Sequence, residues 1–382
     1  MRVPAAGPRR GARFITGSTM RHVVVMTATS AIGLMAMCLV ELADLWFLTL
    51  LNQIEVTAAI GFAGTIVFSN LSGGLGLSIA AGALVAQAMG RGNEDGARDT
   101  ASAALCLSLF TGLMVAIGIV VFARPLLAVL GASGEALELA RGYLITIAPG
   151  FLLLAGAITV SFVLRAIGDP RRAMYVTLVT AIANAVLDPI FIFWMDFGIR
   201  GAALATVCAN LASFAVGLHA LHRHHRFVVR PRIVSIKANI RPIMRIALPA
   251  IATQLATPFA IAYMSRITAA FGNDAVAAVA VINRLVPVAF GVIFSLSGAV
   301  GPIIGQNYGA GELDRVRQTL KDAMVFSTLY TVAVSAVMLL VAGYMPAWFS
   351  ATPAAAELIT FYYTFIAITW AFAGAQFVAQ AS

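Results

Sequence analysis

The sequence is poor in charge: of its 382 residues only 11% are Asp, Glu, Lys or Arg, while 60% are hydrophobic. Soluble proteins carry about 25% charged residues, so this chain has too few to cover a water-exposed surface. The shortage excludes an ordinary soluble domain and places most of the surface in lipid. The net charge is nevertheless +9, a balance that in a soluble protein would suggest a nucleic-acid partner.

Cysteine is also scarce, and all three cysteines lie in apolar stretches without paired spacing. They are Cys38, Cys106 and Cys208. This pattern excludes a disulfide framework and a cysteine metal site, and we expect three small buried side chains. Four histidines gather near the end of the sixth apolar stretch, between His219 and His225. No cysteine or carboxylate accompanies them, so a solvated basic helix end is expected there instead of a metal site.

What the chain does contain is a series of ten apolar stretches, each long enough to cross a bilayer, which takes about 20 residues. They cover residues 23–48, 56–88, 100–123, 142–164, 173–195, 201–221, 246–265, 275–304, 323–346 and 358–380. The alternating pattern of a membrane β-barrel is absent. The predicted fold class is therefore an all-α integral membrane bundle of about ten transmembrane helices, surrounded by membrane lipids and expected to be a monomer.

The basic residues predict the orientation of this bundle. If the N-terminus is cytoplasmic, 20 of the 25 Lys and Arg residues fall in cytoplasmic segments and four in outer segments, as the positive-inside rule requires. Topology thus accounts for the positive charge, and no nucleic-acid partner is expected. We predict a multi-pass protein of the cell (inner) membrane. Its first apolar stretch is too long for the core of a signal peptide.

An internal repeat organises the chain. The pattern Gln-x-x-Gly-x-Gly at 87–92 recurs at 306–311, and the same offset places Tyr143 on Tyr362. The glycines suit tight turns. Because the repeat unit holds six apolar stretches, both copies share one orientation, which is a recurring transporter plan. An intact second copy would end near residue 440, so the second copy is expected to be truncated.

The predicted architecture is two six-helix bundle repeats in parallel orientation, the second cut to four helices. Its parts are a basic cytoplasmic tail (1–21), an N-terminal six-helix lobe (22–221), a cytoplasmic linker (222–241) and an incomplete C-terminal lobe (242–382).

Ionisable side chains inside the apolar stretches are the candidate functional residues, since each costs at least about 2.5–3.5 kcal/mol there. The acidic ones are Glu41, Asp44 and Asp188, and Asn184 lies one helical turn before Asp188. Asp44 and Asp188 are expected to hold a proton or Na⁺, with Asn184 as a neutral oxygen ligand. Alternatively, Asp188 only satisfies backbone groups beside the kink at Pro189, and Glu41 extends to the outer interface.

With these residues the sequence resembles the multidrug and toxic compound extrusion (MATE) transporters, which have twelve helices in two six-helix lobes. The resemblance covers the chain from about residue 22. It rests on Asp44 and on the segments 85–99 (VAQAMGRGNEDGARD), 148–151 (APGF), 164–170 (LRAIGDP), 174–178 (MYVTL), 184–189 (NAVLDP) and 198–207 (GIRGAALATV). By resemblance, the cation site of the N-terminal lobe is Asp44, Asn184, Asp188 and Thr206, and Thr206 enters only through the resemblance.

The chain departs from the family pattern at two points. Thr29-Ser30 stands where many members have a proline in helix one, and Gln254 stands in helix seven, where some branches have acidic residues. The remaining candidate cavity residues are Glu41 and Arg284, the latter lining the cavity or lying near the outer interface.

The predicted function is a cation-coupled antiporter, driven by H⁺ or Na⁺, that exports cationic or amphiphilic drugs and toxic compounds by alternating access. A flippase of lipid-linked oligosaccharides of the same superfamily is the alternative, although only one arginine inside the stretches would serve an anionic lipid. A channel is a further alternative function. No nucleophile–base set lies in the stretches, so no enzyme activity, no cofactor other than the coupling ion and no metal other than a possible Na⁺ at the cation site are expected.

Overall fold

The computed structural model of the protein describes residues 11–49, 54–227, 233–348 and 352–381. Within these ranges every regular element is a helix and no strand is present. The helices are α1 (Thr19–Thr49), α2 (Ile54–Gly90), α3 (Glu94–Val129), α4 (Gly134–Ala166), α5 (Pro170–Pro189), α6 (Gly198–His219), α7 (Ile233–Ala269), α8 (Asn273–Ala310), α9 (Leu313–Val341), α10 (Met345–Trp348), α11 (Pro353–Phe361) and α12 (Trp370–Ala381).

Eight helices in the described ranges are long and apolar enough to cross a membrane, namely α1 to α6, α8 and α9. The prediction of an all-helical, multi-pass membrane protein is confirmed, although eight such helices are found where ten were predicted. The seventh predicted stretch, 246–265, lies inside α7. The tenth, 358–380, is interrupted between α11 and α12 by a π-helical turn at Tyr362–Ile366 and a 3₁₀ turn at Ala367–Thr369.

Helix starts follow the spacing of the sequence repeat. Helices α2, α3 and α4 begin at Ile54, Glu94 and Gly134, and α8, α9 and α11 begin at Asn273, Leu313 and Pro353. Each later start is displaced from its counterpart by the same offset that separates the two Gln-x-x-Gly-x-Gly patterns. The similarity in sequence therefore extends to the positions at which the helices begin.

Two groups of helices pack around separate apolar cores. Helix α4 lies at the centre of the first group and contacts α2, α3 and α6, while α8 is the centre of the second and contacts α9, α11 and α12. The core of the second group includes Phe290, Ile293 and Trp370. The groups meet where α1 and α2 pack against α8 and where α2 packs against α7.

Glycine turns connect the helices of both groups where the sequence predicted them. Gly92 and Gly311 adopt φ angles of +75° and +81°, a conformation that glycine reaches at no steric cost. Asn93 follows the first of these turns and caps α3, since its side chain accepts a 2.9 Å hydrogen bond from the backbone N–H of Gly96. The predicted tight turns are thus present.

Two expectations about individual segments need correction. The segment predicted as a linker, 222–241, begins within a π-helical turn at Ala220–His224 and ends within α7, which begins at Ile233, and residues 228–232 lie outside the described ranges. The expectation that all cysteines are buried was wrong: Cys208 is exposed, and Cys38 and Cys106 are half-buried. A small apolar thiol on an outward helix face is compatible with lipid, so its hydrophobicity did not require burial.

Candidate functional site

Two carboxylates predicted to hold the coupling ion meet in the structure. Asp44 lies on α1 and Asp188 near the end of α5, and their carboxyl groups lie close enough to interact directly. Asp188 is only 1% exposed. Two carboxylates in contact repel each other when both are ionised, so a proton or a cation shared between them would stabilise this contact.

Three buried oxygen atoms at this site have no hydrogen-bond partner. They are Oδ1 of Asp44, Oδ1 of Asn184 and Oδ2 of Asp188. A buried polar atom without a partner costs about 1–3 kcal/mol, so the arrangement is one that a bound ion would stabilise. Hard cations prefer carboxylate and amide oxygens as ligands, and the three atoms are of these two kinds.

The backbone around Asp188 departs from regular helix. Helix α5 ends at Pro189, and the chain continues as a π-helical turn at Ile190–Trp194. Proline supplies no N–H to the helix, and π-helical turns occur frequently at functional sites. The alternative in which Asp188 only satisfies nearby backbone groups is not favoured, because its described partner is the Asp44 side chain and its Oδ2 has none.

Sequence reasoning missed Tyr143 as a member of this site. Tyr143 lies on α4, close enough to interact electrostatically with both Asp44 and Asp188. It packs against the small apolar cluster of Ile192 and Ala202, which fixes the ring next to the acidic pair. The only sequence signal was its alignment with Tyr362 in the repeat, which says nothing about a site.

The other predicted site residues are placed as follows. Thr206 lies half-buried on α6 and donates a 3.1 Å hydrogen bond to the carbonyl of Ala202, and no described contact joins it to the acidic pair. Gln254 is half-buried on α7. The side chains of Glu41 and Arg284 lie outside the described part of the structure. The roles of these four residues stay predictions.

The two Gln-x-x-Gly patterns meet at one end of the molecule. The backbone carbonyl of Gln306 lies so close to Gly90 that a side chain at position 90 would collide with it, and the carbonyl of Gln87 lies equally close to Gly309. Helices α2 and α8 therefore touch backbone to backbone. The end of the molecule at which α2 and α8 touch is called the basic end, because it carries Arg91, Arg171 and Arg315.

The segment before α1, residues 11–18, is packed against this contact; we call it the N-terminal strap. The backbone N–H of Phe14 donates a 3.0 Å hydrogen bond to Oε1 of Gln306, and Phe14 is 4% exposed. Arg13 donates a 3.2 Å hydrogen bond to the carbonyl of Gly168. The strap thus touches both helix groups, although a basic tail was predicted here.

Hydrogen bonds between the two helix groups lie at the basic end wherever the structure describes them. Gln306 donates to the carbonyl of Ala166 at 2.7 Å, and Thr19 at the start of α1 donates to Asp322 of α9 at 2.5 Å. Thr100 of α3 donates to Asn239 of α7 at 3.0 Å. The conformation is accordingly closed at the basic end.

The predicted solvated histidine group is corrected in one respect. His225 lies 2.8 Å from a carboxylate oxygen of Asp169, and Arg172 is hydrogen-bonded to the same carboxylate. The side chain of Asp169 also accepts a hydrogen bond from the backbone N–H of Arg172 and caps α5. Burial raises the pKa of Asp169, but the hydrogen bonds from His225 and Arg172 lower it more, and the pKa lies well below its usual range. Sequence separation concealed this partner, and the described residues contain no group of three metal ligands.

The sequence is similar to a family of known proteins and to individual members of it. The family model described as MatE matches residues 30–190 and 249–382. A protein of Shewanella oneidensis named FAD transporter is 30% identical over 355 residues, which cover 90% of this chain and 77% of that protein. The multidrug export protein MepA of Staphylococcus aureus is 28% identical over 339 residues, covering 86% of this chain and 73% of MepA.

Solved structures share the fold. A mutant of the MATE transporter VcmN from Vibrio cholerae superposes with a TM-score of 0.91 at 23% identity, covering 95% of this chain and 83% of that one. A multidrug resistance MATE family transporter of the MOP superfamily, in an outward-facing conformation, gives a TM-score of 0.84 at 23% identity and covers 97% and 86%.

Proposed function

The chain belongs to the MatE family, a family of transporters rather than enzymes, and from that premise we propose that it is an ion-coupled antiporter. It exports amphiphilic small molecules, chiefly cationic ones, by alternating access. The observation that carries this proposal is the contact between Asp44 and Asp188 together with the three buried oxygens that lack partners.

The coupling ion in this proposal is H⁺ or Na⁺. A proton shared by Asp44 and Asp188 relieves the repulsion between them, and Na⁺ would do so with Asn184 as a further oxygen ligand. Thr206, which the family resemblance adds to the site, keeps its lone pairs free while its hydroxyl donates to Ala202. Both ions therefore fit the donor set.

We place the basic end in the cytoplasm and the N-terminus with it, in the cell (inner) membrane. The support is the distribution of basic residues, 20 of 25 on the side of the N-terminus. Because the described hydrogen bonds between the helix groups lie at the basic end, this conformation is the outward-facing one in the proposed cycle.

The cycle then runs in two steps. An ion that reaches Asp44 and Asp188 from outside neutralises the pair and weakens its attraction for a cationic substrate, which leaves outward. Opening at the basic end must separate Gly90 from Gln306 and exposes the site to the cytoplasm, where the ion is released and the next substrate binds. Binding of the two ligands is thus mutually exclusive, as exchange transport requires.

A second substrate class, flavin nucleotides, is favoured by one observation: a relative that covers 90% of this chain is named FAD transporter. Such anionic substrates require a basic group in the transport path. The lipid-linked oligosaccharide flippase has no comparable support.

Dye uptake into inverted membrane vesicles tests the proposed coupling. Ethidium uptake by the chain should depend on an imposed pH or Na⁺ gradient, and the gradient that drives it identifies the ion. Asp188→Asn should abolish the gradient-dependent part. Asp196→Asn is the matched control, because Asp196 is exposed and asparagine tolerates its left-handed φ of 56°. Unchanged coupled uptake in Asp188→Asn would overturn the site.

A further inference from the structure

The side chain of Arg165 is directed from the basic end of the molecule, where α4 ends, towards the interior. It lies in the last turn of α4, one residue before Ala166. Arginines near the ends of membrane helices usually extend outwards to the headgroups. Here Nη1 lies 3.7 Å from the position a Cβ would take on Gly298 of α8. Ala166, the neighbour of Arg165, contacts Gln306 of α8. Gly298 lies about 12 Å from Gln306 along the same helix, on the side away from the basic end. The guanidinium is therefore directed inwards between α4 and α8.

The guanidinium has no anionic partner in the part of the chain that the structure describes. Its Nε is buried without a hydrogen-bond partner. The guanidinium makes a cation–π contact with the ring of Phe162, whose centroid lies 5.3 Å from the guanidinium carbon. Such a contact contributes about 0.5–2 kcal/mol, whereas a buried donor left without an acceptor costs about 1–3 kcal/mol, and more when the group is charged. The aromatic contact alone does not offset the cost of the charge.

Five other arginines at the basic end have described acceptors, although Nε of Arg98 is also buried without a hydrogen-bond partner. Arg98, Arg172 and Arg317 form ion pairs with carboxylates, and Arg13 and Arg315 donate to backbone carbonyls. Arg165 differs from all five because the described residues offer its guanidinium no acceptor. The difference is not explained by the helix end alone, since Arg98, Arg172 and Arg317 also lie near helix ends.

We propose that Arg165 forms a binding site, between α4 and α8, for the anionic group of a transported molecule, either a phosphate or a carboxylate. The planar guanidinium binds such groups through two parallel N–H donors. A Cβ at position 298 would already be in van der Waals contact with Nη1, so a larger side chain there would compete with a bound anion. This inference rests on the proposed transport function and extends it to substrates that carry a negative charge.

The proposed anion site is separate from the acidic pair. Tyr143, which lies beside Asp44 and Asp188, is in the first part of α4, whereas Arg165 is in its last turn. At the rise of an α-helix, the two positions are about 33 Å apart along the axis. A substrate anion at Arg165 and a coupling ion at the acidic pair therefore do not compete for one position, and the two sites can be tested independently.

Equilibrium binding of two flavins to the purified full chain in nanodiscs tests the proposal. Flavin mononucleotide and riboflavin share one ring system and differ in a phosphate, so their affinity ratio reports recognition of the anion. The wild-type chain should bind flavin mononucleotide at least tenfold more tightly than riboflavin. Arg165→Gln should remove this preference while riboflavin affinity changes less than twofold. Arg165→Lys should keep part of it, and Arg171→Gln, an exposed arginine at the same end, should keep all of it.

A second variant tests the space in front of the guanidinium. Gly298→Leu retains the charge but fills the gap, so it should also remove the preference for flavin mononucleotide. Equal affinity of the wild-type chain for both flavins would overturn the proposal, and so would a parallel loss of both flavins in Arg165→Gln. The assay uses no ion gradient, so its failure is distinct from a failure of coupling at Asp188.

The occupant could carry its phosphate as a soluble molecule or as a lipid headgroup, and lipid composition separates the two. Nanodiscs of phosphatidylcholine are compared with nanodiscs that also contain phosphatidylglycerol. Flavin mononucleotide affinity that is equal in both supports a soluble substrate. Affinity that phosphatidylglycerol lowers in the wild-type chain and leaves unchanged in Arg165→Gln would assign the site to lipid and overturn the substrate role.

Discussion

Arg315 of α9 donates a 2.9 Å hydrogen bond to the backbone carbonyl of Phe14, 301 residues earlier in the chain. The same guanidinium donates to the carbonyl of Gly17 and to the side chain of Asn307, each at 3.0 Å. One side chain thus ties the N-terminal strap to both α8 and α9. Because the strap also contacts the first helix group, this tie favours closure at the basic end.

Replacing Arg315 by alanine should release the strap. The loss of three charge-assisted hydrogen bonds is expected to cost on the order of 3 kcal/mol locally, and amide hydrogen exchange of residues 11–18 should rise at least tenfold. The matched control is Arg317→Ala, because Arg317 lies two residues away and has only an exposed pair with Asp314. Equal exchange in the two variants would contradict the role of Arg315.

A methyl group on Gly90 should prevent full closure at the basic end. Gly90→Ala places a Cβ against the backbone carbonyl of Gln306, and overpacking of this kind costs about 1–3 kcal/mol. The variant should transport ethidium at least tenfold more slowly, while a cysteine label placed at the basic end should react faster. Gly64→Ala on the same helix is the control, since its Cβ meets nothing within 4 Å. Comparable transport by both variants would refute the backbone contact as a requirement.

Asp169→Asn should lower the thermal stability of the purified protein at neutral pH. The pKa of Asp169 in the folded protein is depressed, since the hydrogen bonds from His225 and Arg172 outweigh burial. Because the pKa of Asp169 is lower in the folded than in the unfolded protein, its ionised carboxylate stabilises the fold at pH values above the unfolded pKa of about 3.9. This stabilisation is lost as the pH falls through the folded pKa.

The loss at pH 7 is expected to be on the order of 2 kcal/mol, and the difference from wild type should shrink as the pH falls below about 4. Asparagine still caps helices, so the variant isolates the charge. Asp314→Asn, which is exposed, should leave the melting temperature unchanged. A difference that does not depend on pH would rule out the charged network as its cause.

A buried hydroxyl junction should stabilise the first helix group. Thr159 of α4 is hydrogen-bonded to Ser78 of α2 at 3.0 Å and to Ser108 of α3 at 2.7 Å. Thr159→Val removes both contacts at nearly constant volume and should cost about 0.6–1.7 kcal/mol. Thr180→Val removes a hydroxyl that bonds only within its own helix and should cost less. Chemical denaturation in detergent compares the two, and equal effects would argue against the junction.

The acidic pair was predictable because a carboxylate inside an apolar stretch is costly and therefore informative. Asp44 and Asp188 stood out for this reason, although they lie on different helices far apart in the chain, and the helix period placed Asn184 beside Asp188. Tyr143 was not predictable in the same way. Placing a tyrosine in a membrane helix costs little free energy, so its presence there does not indicate a functional site. Only the folded structure shows that Tyr143 lies beside the pair.

Helix limits were predictable only as far as apolarity follows them. The second apolar stretch was predicted to begin at 56 and α2 begins at Ile54, but α7 begins at Ile233, well before the predicted 246. The early part of α7 carries Lys237, Arg241 and Arg245. Hydropathy detects the portion of a helix that lies in lipid, and a helix that continues beyond the membrane with a polar sequence escapes it.

The glycines of the repeated pattern illustrate a further limit. Gly92 and Gly311 form turns, as predicted, whereas Gly90 and Gly309 lie in helices and allow another backbone to approach. Both requirements select glycine. The sequence alone cannot separate them, since the second depends on a helix that is distant along the chain.

The contacts of Gly90 with Gln306 and of Gly309 with Gln87 are one interaction with the partners exchanged. Identical subunits make such reciprocal contacts across a two-fold axis. In a dimer of two identical halves, a single substitution would damage both contacts at once, but in this fused chain each glycine can change alone. Gly90→Ala and Gly309→Ala should therefore each disrupt one of the two contacts and leave the other in place.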